Sequence, residues 1–231
     1  DGTLSEVSSG LMHMPAQARP PIGYIPLGTA NDVARTLSIP KSPAAAAKKL
    51  LEGKPFAYDV GLFCSRSYFV YIAAFGAFTE VSYATPADAK HTLGHMAYML
   101  EGIKSLGKIK SYEAIVEWDG GVTRGEFIFG AVMNCTSVGG VVRLDSSNVD
   151  LSDGLNEIVL IKRPRDLIEM NNVITQVISG NFSGSNILFL RSAEVRIMFF
   201  QPVSWTLDGE NGGQHRDVLI NTCHPGVEIL I

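Results

Sequence analysis

The spacing of apolar residues changes character near residue 55 of this 231-residue chain. Leu4 to about Met12 has the period of a helix. Ile22 to Leu27 is apolar apart from Gly23 and Tyr24, which suits a buried parallel strand. Gly28-Thr29 then leads into Asn31-Asp32, the predicted start of a helix that runs to Leu37 and stops before Pro40. Ser42-Pro43 predicts another helix, to about Glu52, with Ser42 as N-cap, Pro43 in the first turn and Gly53 after its end. Helix–strand–helix–helix with short connections is a piece of an α/β domain.

After Pro55 the pattern is mainly that of strands. Val60–Phe63 and Tyr68–Ala74 flank a turn at 65–67, and a helix is predicted over 93–106, where Met96, Met99, Leu100 and Ile103 share a face. Tyr112, Ala114, Val116 and Trp118 alternate with more polar neighbours. Asp119-Gly120-Gly121 then turns the chain into a strand over 126–133, a hairpin signal. Further strands are expected at 157–162, 194–200, 204–207, 217–220 and 227–231, with one helix over 167–178. The reading is α/β plus mainly β: residues 1–56 as the C-terminal part of an α/β domain, and 57–231 as an antiparallel β-sandwich-like domain. The last strand is free to pack back on the first part.

Composition narrows the classes. A 46% hydrophobic content excludes disorder, and 19 Lys+Arg against 23 Asp+Glu, a net charge of −4, argues against a nucleic-acid partner. The longest apolar stretch, Tyr68–Phe78, is far short of the roughly 18 residues of a membrane span. Cys64, Cys135 and Cys223 are odd in number and in no metal-ligand spacing, so they read as reduced thiols of a cytoplasmic protein.

Four motifs carry candidate chemistry. In Pro26-Leu27-Gly28-Thr29-Ala30-Asn31-Asp32 an apolar run turns directly into a helix start. That aims backbone N–H groups and the positive end of a helix dipole at a phosphate, although Thr29 or Asn31 could be no more than an N-cap. Asp1-Gly2-Thr3 is a second turn into a helix. Asp153-Gly154, within Asp150–Leu155, is either an ordinary turn or a place where Asp153 and backbone carbonyls hold a hard cation. Trp205-Thr206-Leu207-Asp208-Gly209-Glu210 ends an apolar strand in two carboxylates, able to accept a substrate proton or organise Mg²⁺, or simply a surface turn.

Taken in order, these segments resemble the diacylglycerol kinase catalytic domain family, and the bacterial soluble lipid kinases of the YegS/BmrU-like group in particular. Asp1-Gly2-Thr3-Leu4 looks like the second half of the family's GGDGT motif. Ile25–Arg35 is similar to the next motif almost letter for letter. Asp59-Val60-Gly61, Phe75-Gly76-Ala77, Leu93–Tyr98, Asp153-Gly154-Leu155 and Asp208-Gly209-Glu210 follow in family order. The resemblance implies an ATP-dependent, Mg²⁺-dependent lipid kinase with its active site in the cleft between the two parts. It assigns Asp1, Gly2, Thr3, Gly28, Thr29 and Asp32 to nucleotide and metal binding, and Glu210, with Asp208 beside it, to catalysis. It also assigns Asp153 and the carbonyls of Leu151 and Leu155 to a structural Mg²⁺. A lipid substrate met at the membrane surface by a cytoplasmic protein follows, and a homodimer is compatible with it. The family's first strands lie before GGDGT, so the chain is expected to lack the start of the nucleotide-binding domain. Ser5 stands where the family usually has asparagine, and Arg143-Leu144-Asp145 replaces a proline-containing stretch. An NAD kinase and a catalytically silent lipid-binding module are the competing readings.

Overall fold

The computed structural model describes residues 2–28, 31–77, 109–138, 142–143 and 149–231. Three helices come first, α1 (Gly2–Met12), α2 (Asp32–Thr36) and α3 (Pro43–Glu52). Strands β1 (Pro55–Phe63), β2 (Ser67–Phe69), β3 (Ile72–Gly76), β4 (Tyr112–Trp118) and β5 (Gly121–Met133) follow. The short pair β6 (Ser137–Val138) and β7 (Val142–Arg143) precedes β8 (Asn156–Lys162), α4 (Leu167–Ser179) and β9 (Ile187–Ser192). Two long strands, β10 (Glu194–Leu207) and β11 (Glu210–Leu230), complete the chain.

Nine strands form one sheet in the order β2-β1-β11-β10-β3-β5-β8-β9, and every pairing in it is antiparallel. β4 sits beside β3, also between β10 and β5. The first half of β10 pairs with β4 and its second half with β3, and β5 divides in the same way. The sheet therefore closes around an aromatic nucleus in which the Phe75 ring lies 4.9 Å from Phe199 and 5.0 Å from Trp205.

Both faces of the central strands are covered. Ile158 and Leu160 of β8 face the interior of the rolled sheet, whereas Val159 and Ile161 face the helices. The helical layer fills the second face with Leu4 and Met12 of α1, Val33 and Ala34 of α2, and Met170, Val173 and Val177 of α4. Continuous apolar runs in β3 and β8 are the sequence trace of this two-sided burial. β11 serves both cores: Val218 and Ile220 point into the roll, and Val227 and Ile229 point toward the helices. Alternation along the strand produces this division, and the register shift opposite Asp59, between Tyr58 and Val60, leaves it intact, since Cys223 and Val227 on either side pack toward the same core.

Several expectations need correction. The run 22–27 forms no strand beyond a single parallel bridge from Ile22 to Ile229; Leu27 is 78% exposed. Among the described residues the end of β11 is the strand that this run meets. The stretch 68–74 is broken at Val70-Tyr71 into β2 and β3. The segments 194–200 and 204–207 are one strand, as are 217–220 and 227–230. β9 is an addition to the expected strands, and Ile187-Leu188-Phe189-Leu190 after a Gly/Ser/Asn-rich connection is its signal in the sequence. The helix expected over 93–106 lies outside the described residues.

Candidate active site

Asp208 and Gly209 are the two central residues of the β10–β11 hairpin, with φ of 51° and 88°. Two left-handed residues in succession make a turn that suits Asp-Gly. The Asp208 carboxylate does not face solvent. One oxygen accepts from the Ser5 hydroxyl (2.7 Å) and the Val70 N–H (2.7 Å), and the other from the N–H groups of Tyr71 and Ile72 (3.0 Å each). The Asp208 N–H donates to the Ile72 carbonyl at 2.8 Å. Four donors fill the four acceptor positions of a carboxylate. Burial pushes the Asp208 pKa up against these donors, which pull it down. The residue is a bracket for the turn, and Glu210, immediately after it, is exposed. Ser5, a departure from family usage in sequence, links α1 to this bracket through its hydroxyl.

Asp32 opens α2 and is buried, 3.3 Å from the Arg35 guanidinium. Asn31 occupies the N-cap position at φ 51° but makes no side-chain cap bond. Its amide instead closes the loop by accepting from the Gly28 N–H (3.0 Å) and donating to the Gly28 carbonyl (2.5 Å). The charges of Asp208 and Asp32 both act on the buried Tyr71 phenol, whose pKa is raised first by burial and then by them. Asp32 acts on Tyr24 in the same way. The Tyr71 phenol thus senses both carboxylates, and Asp208 also holds the Tyr71 N–H. Gly2 and Thr3 form the first turn of α1, Gly28 is exposed, and Asp1 and Thr29 lie outside the described residues.

A third acidic group, Asp59, sits in the irregularity of β1. It accepts from the Gly154 N–H (2.7 Å) and meets His224 Nδ1 at 2.7 Å. Its own N–H donates to the Leu151 carbonyl (2.9 Å), which also receives the Asn134 amide at 3.2 Å. Asp153 accepts from the Leu155 N–H (3.0 Å) and is ion-paired to Arg191. Arg191 also reaches the fully buried Glu157 (3.1 Å), whose pKa burial lifts to about 7 despite the guanidinium. No sequence motif unites Asp59, Asn134, Arg191 and His224; the fold brings them to the 151–155 turn.

The donor set expected for a structural Mg²⁺ is one carboxylate, Asp153, and two carbonyls, Leu151 and Leu155. These are hard oxygen ligands of the kind that ion takes. Three buried oxygens adjoining this turn, Asn134 Oδ1, Asn156 Oδ1 and Glu157 Oε2, have no hydrogen-bond donor among the described residues. They could accept from the water shell of a cation, and Asp153 and the Leu155 carbonyl fit as ligands, whereas the Leu151 carbonyl already accepts from Asp59 and Asn134 and would have to release one of them. Such an ion would share Asp153 with Arg191.

Comparison with known proteins places these motifs in a family context. Residues 1–63 match the diacylglycerol kinase catalytic domain, and residues 73–230 match the YegS C-terminal NAD kinase beta sandwich-like domain. A diacylglycerol kinase of Bacillus subtilis (strain 168) is 34% identical over 225 residues, 96% of this chain and 72% of the relative. A diacylglycerol kinase of Staphylococcus carnosus (strain TM300) is 33% identical over 215 residues, 93% of this chain and 69% of the relative. A crystal structure of a candidate diacylglycerol kinase from Bacillus anthracis str. Sterne superposes with a TM-score of 0.81 at 25% identity, covering 99% of this chain and 73% of its own.

Proposed function

Because this chain belongs to the diacylglycerol kinase family, we propose that it transfers the terminal phosphoryl group of ATP to the free hydroxyl of diacylglycerol or a related lipid. In-line transfer of this kind needs no covalent intermediate; positioning and charge neutralisation supply most of the rate. Gly2, Thr3 and the Gly28–Thr29 turn would bind the phosphates through backbone N–H and hydroxyl groups, and Asp1 and Asp32 would hold Mg²⁺. That ion would offset charge on the phosphoryl oxygens. Glu210 would take the proton from the attacking hydroxyl, with Asp208 fixing the turn that carries it. Asp153 with the carbonyls of Leu151 and Leu155 would hold a second, structural Mg²⁺.

One observation carries the reading. The Ser5–Asp208 hydrogen bond joins α1, two residues after Thr3, to the turn that presents Glu210. The segment proposed to bind phosphate and the turn that carries the proposed proton acceptor are thereby joined by a hydrogen bond. A lipid acceptor also implies work at a bilayer surface, and among the described residues no helix is long and apolar enough to cross a membrane. All three cysteines are free, in keeping with a cytoplasmic location.

The test is ATP consumption with Mg²⁺ against diacylglycerol, phosphatidylglycerol, sphingosine and NAD, for the parent protein and Glu210→Gln. Turnover on one lipid should fall about a thousandfold in the variant, with melting temperature unchanged because Glu210 is exposed. Turnover on NAD alone, or full activity in Glu210→Gln, would remove this reading.

A further inference from the structure

Arg191 stands on β9 directly across from Glu157 of β8 and serves two carboxylates with one edge of its guanidinium. Its Nε donates to Glu157 Oε1 at 3.1 Å, while its Nη2 turns away to Asp153 Oδ2. The same edge is used differently on β10. There Arg196 Nε and Nη2 both donate to Asp217, one to each oxygen, at 2.9 and 2.6 Å. That side-on fork is the arrangement a planar guanidinium and a carboxylate favour. At Arg191 the fork is split, and Glu157 Oε2 is left buried with no donor among the described residues. A buried carboxylate oxygen without a partner is strongly unfavourable. Asp153, by contrast, lies at the surface, and its Oδ1 already accepts from the Leu155 N–H at 3.0 Å. Among the described residues no other cation is ion-paired to either carboxylate.

One positive charge is thus held between a surface carboxylate and a buried one. Moving Nη2 from Asp153 Oδ2 to Glu157 Oε2 would complete the fork and satisfy the buried oxygen. The move is opposed as long as it strips Asp153 of its counter-charge. A hard divalent cation at the 151–155 turn supplies that charge, and two cations on one carboxylate repel each other. Resting on the metal reading of this turn given above, we propose that Arg191 is the resident counter-ion of Asp153 and yields it to Mg²⁺, closing on Glu157 as it does so. Each carboxylate then has its own cation, where before they shared one. Arg191 thereby sets how tightly the turn holds the ion. Its charge competes at Asp153, and Glu157 Oε2 offers the guanidinium a second place to bind.

The experiment follows Mg²⁺ binding by calorimetry without nucleotide, together with the side-chain nitrogen resonances of Arg191, assigned through the β9 backbone. The proteins are the parent, Arg191→Gln, Glu157→Gln and Asp153→Asn. Mg²⁺ should shift the Arg191 resonances in the parent and leave them in place in Asp153→Asn, which should lose the binding. Arg191→Gln, with the competing cation gone, should bind Mg²⁺ roughly tenfold more tightly. Glu157→Gln turns one acceptor oxygen into a donor, denies Arg191 its second position and should bind roughly fivefold more weakly. Binding that is lost in Asp153→Asn yet never moves the Arg191 resonances would overturn the proposal and leave the metal reading standing. So would a Glu157→Gln affinity equal to that of the parent. Binding as tight in Asp153→Asn as in the parent, or none in the parent and Arg191→Gln alike, would remove the metal reading and the proposal together. The resonances and Glu157→Gln decide the question even where loss of the guanidinium unfolds Arg191→Gln. Neither readout needs turnover, so a protein silent on every lipid still gives an answer.

Discussion

Two Asp-Gly turns in this chain look alike in sequence and behave differently in the fold. At 153–154 the aspartate is exposed, and its partners are the Arg191 side chain and one local N–H. At 208–209 the aspartate is buried, and its carboxylate is filled by three backbone N–H groups and a hydroxyl from distant parts of the chain. The difference arises opposite each turn, not within it. The break at Val70-Tyr71 between β2 and β3 leaves three successive N–H groups without strand partners, and Asp208 takes all of them. Buried backbone donors must be satisfied, so the break and the carboxylate account for each other.

Substitutions can pull this contrast apart. The largest stability effect is expected from Asp208→Asn, which replaces an acceptor oxygen with a donor facing N–H groups. A loss of about 3 kcal/mol is expected in denaturant unfolding, together with a fall in turnover as Glu210 loses its support. An unchanged unfolding midpoint would mean that the bracket is dispensable.

Next in size is Glu157→Gln. Folding raises the Glu157 pKa from 4.5 to about 7, so the native state holds a proton that the unfolded chain releases in that window. The stability this group contributes is fully present below pH 4.5 and is lost as pH rises through 7. The glutamine variant lacks this titration and should exceed the parent by about 2 kcal/mol at pH 8, with the gap closing toward pH 5. A constant gap across that range would exclude Glu157 as its source.

Ser5→Ala removes one of the four donors to Asp208. A loss of about 1 kcal/mol and a several-fold drop in turnover are expected, and Ser5→Thr, which keeps the hydroxyl, should recover both. Recovery in neither assay would show that the hydroxyl does not act through Asp208. The smallest effect is expected at the other turn. Asp153→Asn breaks a partly exposed ion pair and should cost about 1 kcal/mol or less. A cost matching that of Asp208→Asn would erase the distinction between the turns.

The sequence shows some of this and hides the rest for physical reasons. Pro43 at the start of α3, the helical period of α4 and the Asp-Gly hairpin between β4 and β5 are local signals, and the structure contains each element. Ser42 holds the N-cap position but makes no cap bond, whereas Asp166, not among the expected caps, caps α4 with two. Asp32, Asp153 and Asp208 are visible as motif residues, but their partners are not. Ser5 lies 203 positions from Asp208, and His224 lies 165 from Asp59. No local period encodes contacts of that separation; the closing of the sheet creates them.

The length of β11 has a consequence for how the molecule comes apart. Its 21 residues supply Val218 and Ile220 to the roll and Val227 and Ile229 to the helical layer. Melting either core strips one half of a strand whose other half is still engaged, so partial opening on one side raises the free energy of the other. Shared structure of this kind merges two would-be folding units into one cooperative transition. The slowest-exchanging amides should then run the length of β11, as a seam that opens only when the whole protein unfolds.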